Sequence, residues 1–415
     1  MAKTDSAYVF VSIDGRWIPC GYLTIEEDNR NILSTFQYGK KYLRRNDAFA
    51  IDPVQLPLGD ALFQSTPRSP VFGGIRDAAP DGWGRHLLDR AAEPQSPGEF
   101  EYLTALPLDD RIGALGFGST LEAGPGPIDP GWANYPPEGA ELDLESMLTA
   151  ADQIDAMEEI SPEYRRFLVR GSSLGGAQPK APTMHDGRQW IAKFGRQYEA
   201  WNTCRIEHAN LRLAEQCGIR VPGSKTLRVA GRDVFLISRF DRDAMGRRIP
   251  YISAATLLGT NQIDQGSYQD IAVQMRKYCA AASIHDDLEQ LFLRMVFNIL
   301  CNNSDDHLRN HGFLYLAHQG WRLSPAFDIV PQPDMGPKVP RLLTLGVGMD
   351  GSRDATLKNA LSSSGVFGLT HEQGRRIIQR MTKLFLSQWE SIYTKNDVPE
   401  KDLAIVSEAF VNHLR

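Results

Sequence analysis

Apolar and polar positions alternate at the start of the chain. Tyr8 to Ile13 and Trp17 to Ile25 read as strands flanking Asp14-Gly15, a dipeptide suited to a tight hairpin turn. Ile32 to Tyr38 adds a further strand, and Asp81-Gly82-Trp83-Gly84 leads into a short helix through Leu87, Leu88 and Ala91. Between Glu122 and Gly139, nine of eighteen residues are Pro or Gly, which predicts a linker or an extended surface loop. Helical spacing resumes from Leu142 to Ile160 and stops at Ser161-Pro162.

Beyond Arg170 a glycine-rich turn, Gly171 to Gly176, precedes a hairpin around Asp186-Gly187 whose second strand is Arg188 to Phe194. A helix is expected from Thr203, with Ile206, Leu213, Ala214 and Cys217 on one stripe and Gly218 closing it. Lys225 to Ala230 and Asp233 to Phe240 form another hairpin around Gly231. The rest is mostly helical. Leu288, Leu291, Phe292, Met295, Ile299 and Leu300 make one stripe, and Ile377, Ile378, Met381, Leu384, Phe385, Trp389 and Ile392 make a second. The pattern divides the chain into a β-rich unit over residues 1–118, a Pro/Gly tract over 119–141, a mixed segment over 142–250 and a helical segment over 251–415. That is an α+β organisation.

Composition narrows the class. With 45 Lys and Arg against 51 Asp and Glu, the 415-residue chain carries a formal charge of −6, which disfavours avid non-specific DNA binding. Five scattered cysteines with no C-x-x-C pair argue against a disulfide framework or a zinc ribbon and fit a reducing compartment. The start at Met1 shows neither a signal peptide nor a lipidation motif, and no long apolar run occurs. A cytoplasmic protein that does not span the membrane is expected.

The most informative stretch is Asn302-Asn303-Ser304-Asp305-Asp306-His307-Leu308-Arg309-Asn310, directly after an apolar helix. Such a run can be a solvated, capped loop. Four residues separate Asp305 from Asn310, the interval between the catalytic Asp and the metal-binding Asn of a protein-kinase loop. Asp306 rivals Asp305 but sits one residue too close to Asn310. Asp328, in Ser324-Pro325-Ala326-Phe327-Asp328-Ile329, follows Asp305 by 23 residues and offers a further oxygen ligand for magnesium, although the D-F-G letters are absent. Lys193 shares a strand face with Ile191. It reads either as an edge gatekeeper or as a phosphate anchor held by Glu207 on the next helix. The turn Gly171-Ser172-Ser173-Leu174-Gly175-Gly176-Ala177-Gln178 places small residues where backbone N–H groups can reach phosphate, yet it matches neither G-x-G-x-x-G nor Walker A.

In combination the chain resembles the HipA family of bacterial toxin–antitoxin Ser/Thr kinases. The resemblance rests on Ser173 to Lys180, on Arg239-Phe240-Asp241-Arg242, on Asp305 to Asn310 and on Ser324 to Ile329, which occur in family order over nearly the whole chain. It implies a two-lobed protein-kinase-like fold with an appended N-terminal β-rich subdomain. By the resemblance, Asp305 is the catalytic base, Asn310 and Asp328 hold Mg²⁺, and Lys193 contacts ATP with Glu207 beside it. Ser173, Leu174, Gly175, Gly176, Ala177 and Gln178 form the phosphate loop. Ser173, or Ser172, is the autophosphorylated residue, and a phosphate there would disrupt an anion-binding loop. Ser238 stands where a hinge glutamate is common; Pro179 and Asp306 also depart from the usual pattern. The implied substrate is an aminoacyl-tRNA synthetase. The implied partner is a HipB-like helix-turn-helix antitoxin, through which operator DNA would mainly be reached. A small-molecule or lipid kinase on the same fold, or a catalytically silent co-repressor scaffold, are the alternatives.

Overall fold

Strands β1 (Lys3–Ile13) and β2 (Arg16–Glu27) form the first hairpin of the computed structural model, which describes residues 3–28, 31–133, 135, 143–156, 158, 168, 176, 178–196, 198–317, 319–333 and 340–411. At the turn, Asp14 and Gly15 take φ of 49° and 77°, the left-handed pair whose twist matches paired strands. Asp186-Gly187 and Ala230-Gly231 repeat the device later in the chain, with φ of 50° and 69° and of 45° and 78°. With β3 (Ile32–Tyr38), β4 (Phe63–Gln64) and β5 (Leu115–Gly118), the first hairpin completes an antiparallel sheet ordered β4-β3-β2-β1-β5. Ala7, Val9 and Val11 are buried on its inner face, as a period of two requires.

The Pro/Gly tract does not hang free over its described part. Gly126 N–H bonds to Phe117 O, Ile128 N–H to Thr104 O, and the Tyr135 hydroxyl to Ala105 O at 3.0 Å. Those described residues form an extended strap laid back on the N-terminal unit.

A second antiparallel sheet comprises β6 (Lys180–His185), β7 (Arg188–Phe194), β8 (Ser224–Val229) and β9 (Arg232–Ser238), ordered β6-β7-β9-β8. Numbering helices of eight or more residues, α1 spans Gly82–Ala92 and α2 spans Leu144–Asp155. Asp143 caps α2 through the amides of Glu145 and Ser146, so the helix starts two residues later than the spacing suggests. Met147 and Leu148 of α2 pack with Trp190, Ala192 and Phe194 on one face of β7. That leaves Ile191 and Lys193 on the other face. Helix α3 (Thr203–Gln216) begins at Asn202, whose side chain accepts from Arg205 N–H, and ends at Cys217, followed by Gly218 at φ 89°.

The C-terminal lobe holds α4 (Tyr268–Tyr278), α5 (Ile284–Cys301), α6 (His371–Lys395) and α7 (Glu400–Val411). It also holds a small sheet of β10 (Tyr251–Ser253), β11 (Gly312–Leu316) and β12 (Gly320–Leu323). A four-stranded sheet with its helix thus faces a helical lobe across a cleft, the two-lobed kinase-like arrangement. No helix among the described residues is long and apolar enough to cross a membrane.

One apolar core runs from the N-terminal sheet into the helical lobe, linking Val9, Leu23 and Phe36 to Phe292, Met295 and Phe385. At the junction Phe49 stacks on Tyr315, ring centroids 4.0 Å apart.

Candidate active site

Lys193 is not an edge residue. Strand β7 lies between β6 and β9, and the side chain points into the cleft, buried. Its Nζ lies 2.6 Å from Glu207 Oε1 and 2.7 Å from Asp328 Oδ1. Burial opposes the ammonium, but the carboxylates of Asp328 and Glu207 outweigh it and hold its pKa above the ordinary lysine value. Reciprocally, Lys193 holds the Asp328 carboxyl well below the usual range against its burial, with Lys180 adding to the effect. Asp328 also takes φ 58°, unusual for a residue with a Cβ, and such backbone persists where surrounding structure enforces it.

Helix α5 ends at Asn302 in the left-handed region, φ 55° and ψ 42°, which turns the chain sharply into the polar loop. The two adjacent aspartates then part company. Asp305 is exposed toward the cleft. Burial of part of its carboxyl and repulsion from Asp328 and Asp306 raise its pKa, with His307 opposing. Asp306 is buried, accepting from the Tyr268 hydroxyl and facing His311 Nε2 at 2.9 Å. Burial works against its ionisation, but His311 and Tyr268 outweigh that and lower its pKa. Asn310 donates Nδ2 to the Asp305 carbonyl at 3.1 Å and lines the cleft. That bond folds the loop back on itself and leaves the amide oxygen available.

The cleft has a volume of about 260 Å³. Ile191, Ile237, Phe240 and Phe327 supply an apolar side, and Lys193, Asp305, Asn310 and Asp328 a charged and polar one. The structure therefore brings together Lys193, Glu207, Asp328, Asp305 and Asn310. Of the glycine turn, Ser172, Ser173, Leu174, Gly175 and Ala177 lie outside the described residues. Gly176 lines the cleft, and its N–H is held by Asp81 Oδ1 at 2.7 Å. Gln178 is not among the cleft residues; its amide braces Phe194 O at 3.2 Å. Ser238, at the end of β9, also faces the cleft.

Sequence reasoning passed over three contributors. Lys180 is buried in the cleft, paired across β6 and β7 with Lys193; burial and then Lys193 lower its pKa. Its signal lies at the end of the glycine turn, whose small residues point to backbone donors and not to a cation. Asp81 and Arg76 come from the N-terminal unit, and Asp81 also pairs with Arg309 of the polar loop. No local pattern announces a contact between residues 228 positions apart.

No group of three or more His, Cys, Asp or Glu suited to a metal occurs among the described residues. An Asn amide oxygen with one carboxylate nonetheless fits Mg²⁺, which takes few protein ligands and completes its shell with phosphate oxygens and water.

Fold and site together define a two-lobed kinase-like protein carrying an appended β-sheet unit. Residues 12–118 match the HipA N-terminal domain, and residues 172–389 match the HipA-like C-terminal domain. The chain belongs to the HipA family. A Haemophilus influenzae protein named "Putative kinase" is 28% identical over 150 residues, 31% of this chain and 42% of that relative. The match thus spans less than half of that relative's length. "Putative kinase Y4mE" of Sinorhizobium fredii is 25% identical over 333 residues, 71% of this chain and 73% of its own. A chain of the solved Shewanella oneidensis complex of HipA, HipB and operator DNA matches with a TM-score of 0.67 and 17% identity, over 98% of this chain and 96% of that one. That likeness is one of fold.

Proposed function

We propose that this chain is an ATP- and Mg²⁺-dependent Ser/Thr protein kinase and the toxin of a toxin–antitoxin pair. The observation that carries the reading is the Glu207–Lys193–Asp328 ion-pair chain facing the free carboxylate of Asp305 and the amide of Asn310 across one cleft. Adenine would lie against Ile191, Ile237, Phe240 and Phe327, and Lys193 and Lys180 would meet the phosphates. Asn310 and Asp328 would hold Mg²⁺, which when bound neutralises charge on the transferred phosphate. Asp305 orients the acceptor hydroxyl and takes its proton. As the acceptor oxygen bonds to the γ-phosphorus, the bond to the β,γ-bridging oxygen breaks and ADP leaves. A carboxyl whose pKa is raised is suited to that proton transfer.

Family membership supports the finer parts of the reading. The solved Shewanella complex joins a HipA to a HipB and operator DNA, which supports a HipB-like antitoxin partner here and contact with DNA mainly through it. An acidic chain suits that division of labour. An aminoacyl-tRNA synthetase as target and phosphorylation of Ser173 or Ser172 complete the proposal. Incubating the chain with Mg²⁺ and labelled ATP, then mapping phosphate, tests it. Label on Ser173 or Ser172 that is absent from Asp305→Ala is the expected result. Absence of both nucleotide binding and transfer, with protein first dephosphorylated, would overturn it.

A further inference from the structure

Every other arginine of the cleft has a counter-charge or carbonyl acceptors. Arg239 pairs with Asp241, and Arg309 pairs with Asp81. Arg76 is the exception. It closes the short helix Gly73–Arg76 of the N-terminal unit, is half-buried and lines the cleft, and its guanidinium has no hydrogen-bonded or ion-pair partner among the described residues. The nearby carboxylates are spent elsewhere. Asp77 accepts from Ser253 and Thr256, and Glu99 is held by both terminal nitrogens of Arg85. Burial, and then repulsion from Arg309 and Arg85, work against its charge, with Glu99 and Asp77 only partly compensating. An unpaired, partly desolvated cation disfavours the folded state unless a ligand anion completes it.

Its position says which anion. Five residues on, Asp81 holds Gly176 of the glycine turn at 2.7 Å and also pairs with Arg309, the neighbour of Asn310. The segment from Arg76 to Asp81 therefore stands where Gly176 meets the Asp305–Asn310 loop. That is the end of the cleft at which phosphoryl transfer would occur.

We propose that Arg76 receives the terminal phosphate of ATP, so that the N-terminal unit supplies an arginine to the catalytic cleft. The inference rests on the kinase reading above. A guanidinium presents paired donors to phosphate oxygens, and an arginine brought from outside the catalytic lobes is an established way to stabilise charge on a transferred phosphoryl group.

The test titrates Mg·ATP and Mg·ADP calorimetrically into the full-length chain and into Arg76→Ala and Arg76→Lys. Loss of one charge-assisted contact should weaken ATP binding to Arg76→Ala by about ten- to a hundredfold while ADP binding stays within about twofold. Arg76→Lys should fall between. The nucleotide-free variant should melt no lower than the parent, since no protein partner is lost. An unchanged ATP-to-ADP preference in Arg76→Ala would overturn the assignment, as would a lowered melting temperature with both nucleotides lost. So would a variant whose sole defect is a raised KM for a glutamate-flanked serine peptide, because the anion would then belong to the acceptor. A parent chain that binds neither nucleotide would instead sink the kinase reading itself.

Discussion

Asp305 and Asp306 are chain neighbours in opposite environments, and their substitutions should separate accordingly. Asp305 presents a carboxylate to the cleft, whereas Asp306 is buried against Tyr268 and His311. Asp305→Asn should lower the phosphotransfer kcat by about 10²–10⁴, the range for losing a general base, with Mg·ATP affinity and melting temperature retained. Asp306→Asn should lower the melting temperature, since it weakens the buried contacts that fix the loop. Single-turnover transfer and thermal melting of the two variants check this. A second residue-scale expectation concerns pH. His208 on α3 is buried, and that burial, with repulsion from Arg212 and Arg205, lowers its pKa to about 4 despite a hydrogen bond with Asn396. Its folded value lies below its unfolded value of about 6.5, so protons favour the unfolded chain. Stability should be unaffected above pH 6.5, fall as pH drops toward 4, and then lose no more from this group. Melting curves of His208→Gln across that range should show a shallower decline than the parent.

At the scale of elements, the segment Arg239-Phe240-Asp241-Arg242 is a clasp. Asp241 is buried between the guanidinia of Arg239 and Arg242, at 2.7 Å from each, and accepts the N–H of Gly113 at 2.8 Å. The arginines donate onward to backbone carbonyls of Asp109, Asp110, Arg111 and Gly113 in the N-terminal unit. Burial opposes the Asp241 charge, but Arg239 and Arg242 hold its pKa well below the ordinary range. A depressed carboxyl contributes stability above its unfolded pKa of about 4 and loses it as pH falls further. Asp241→Asn leaves two buried cations short of a counter-charge and should cost roughly 3–5 kcal/mol, read by urea unfolding at neutral pH. The gap from the parent should narrow in acid. This clasp marks where the sequence stopped being legible. Its four residues are recognisable as a motif, yet a string of letters does not say that carbonyls some 130 positions earlier receive the guanidinia. The hairpins were legible because Asp14-Gly15 and Asp186-Gly187 encode their turns locally. Lys193 and Asp305 stood out because strand parity and loop spacing are local too. Arg76 and Asp81 were not, because their meaning comes from the partners that folding brings.

For the whole molecule, the reading of residues 1–118 as an appended unit understates how it is built in. The apolar core is continuous from Val9 to Phe385, the clasp crosses the junction, and Asp77 accepts from the backbone N–H and hydroxyl of Ser253 and the hydroxyl of Thr256. Cut away from the N-terminal unit, the lobes would expose apolar surface and leave Arg239, Arg242 and Arg248 without the carbonyl oxygens that now receive them. Both losses disfavour an independently folded pair of lobes. The covalent connection matters less than these contacts, because the described part of the Pro/Gly tract bonds back to its own unit. Residues 1–133 and 143–415, co-expressed as two separate chains, should therefore reassemble and elute together at the size of the intact protein. Each piece alone should aggregate or be digested rapidly by protease. A 143–415 fragment that by itself eluted as a monomer and melted at the temperature of the parent would show that the junction contributes little. The N-terminal unit would then line the cleft without holding the kinase-like lobes together.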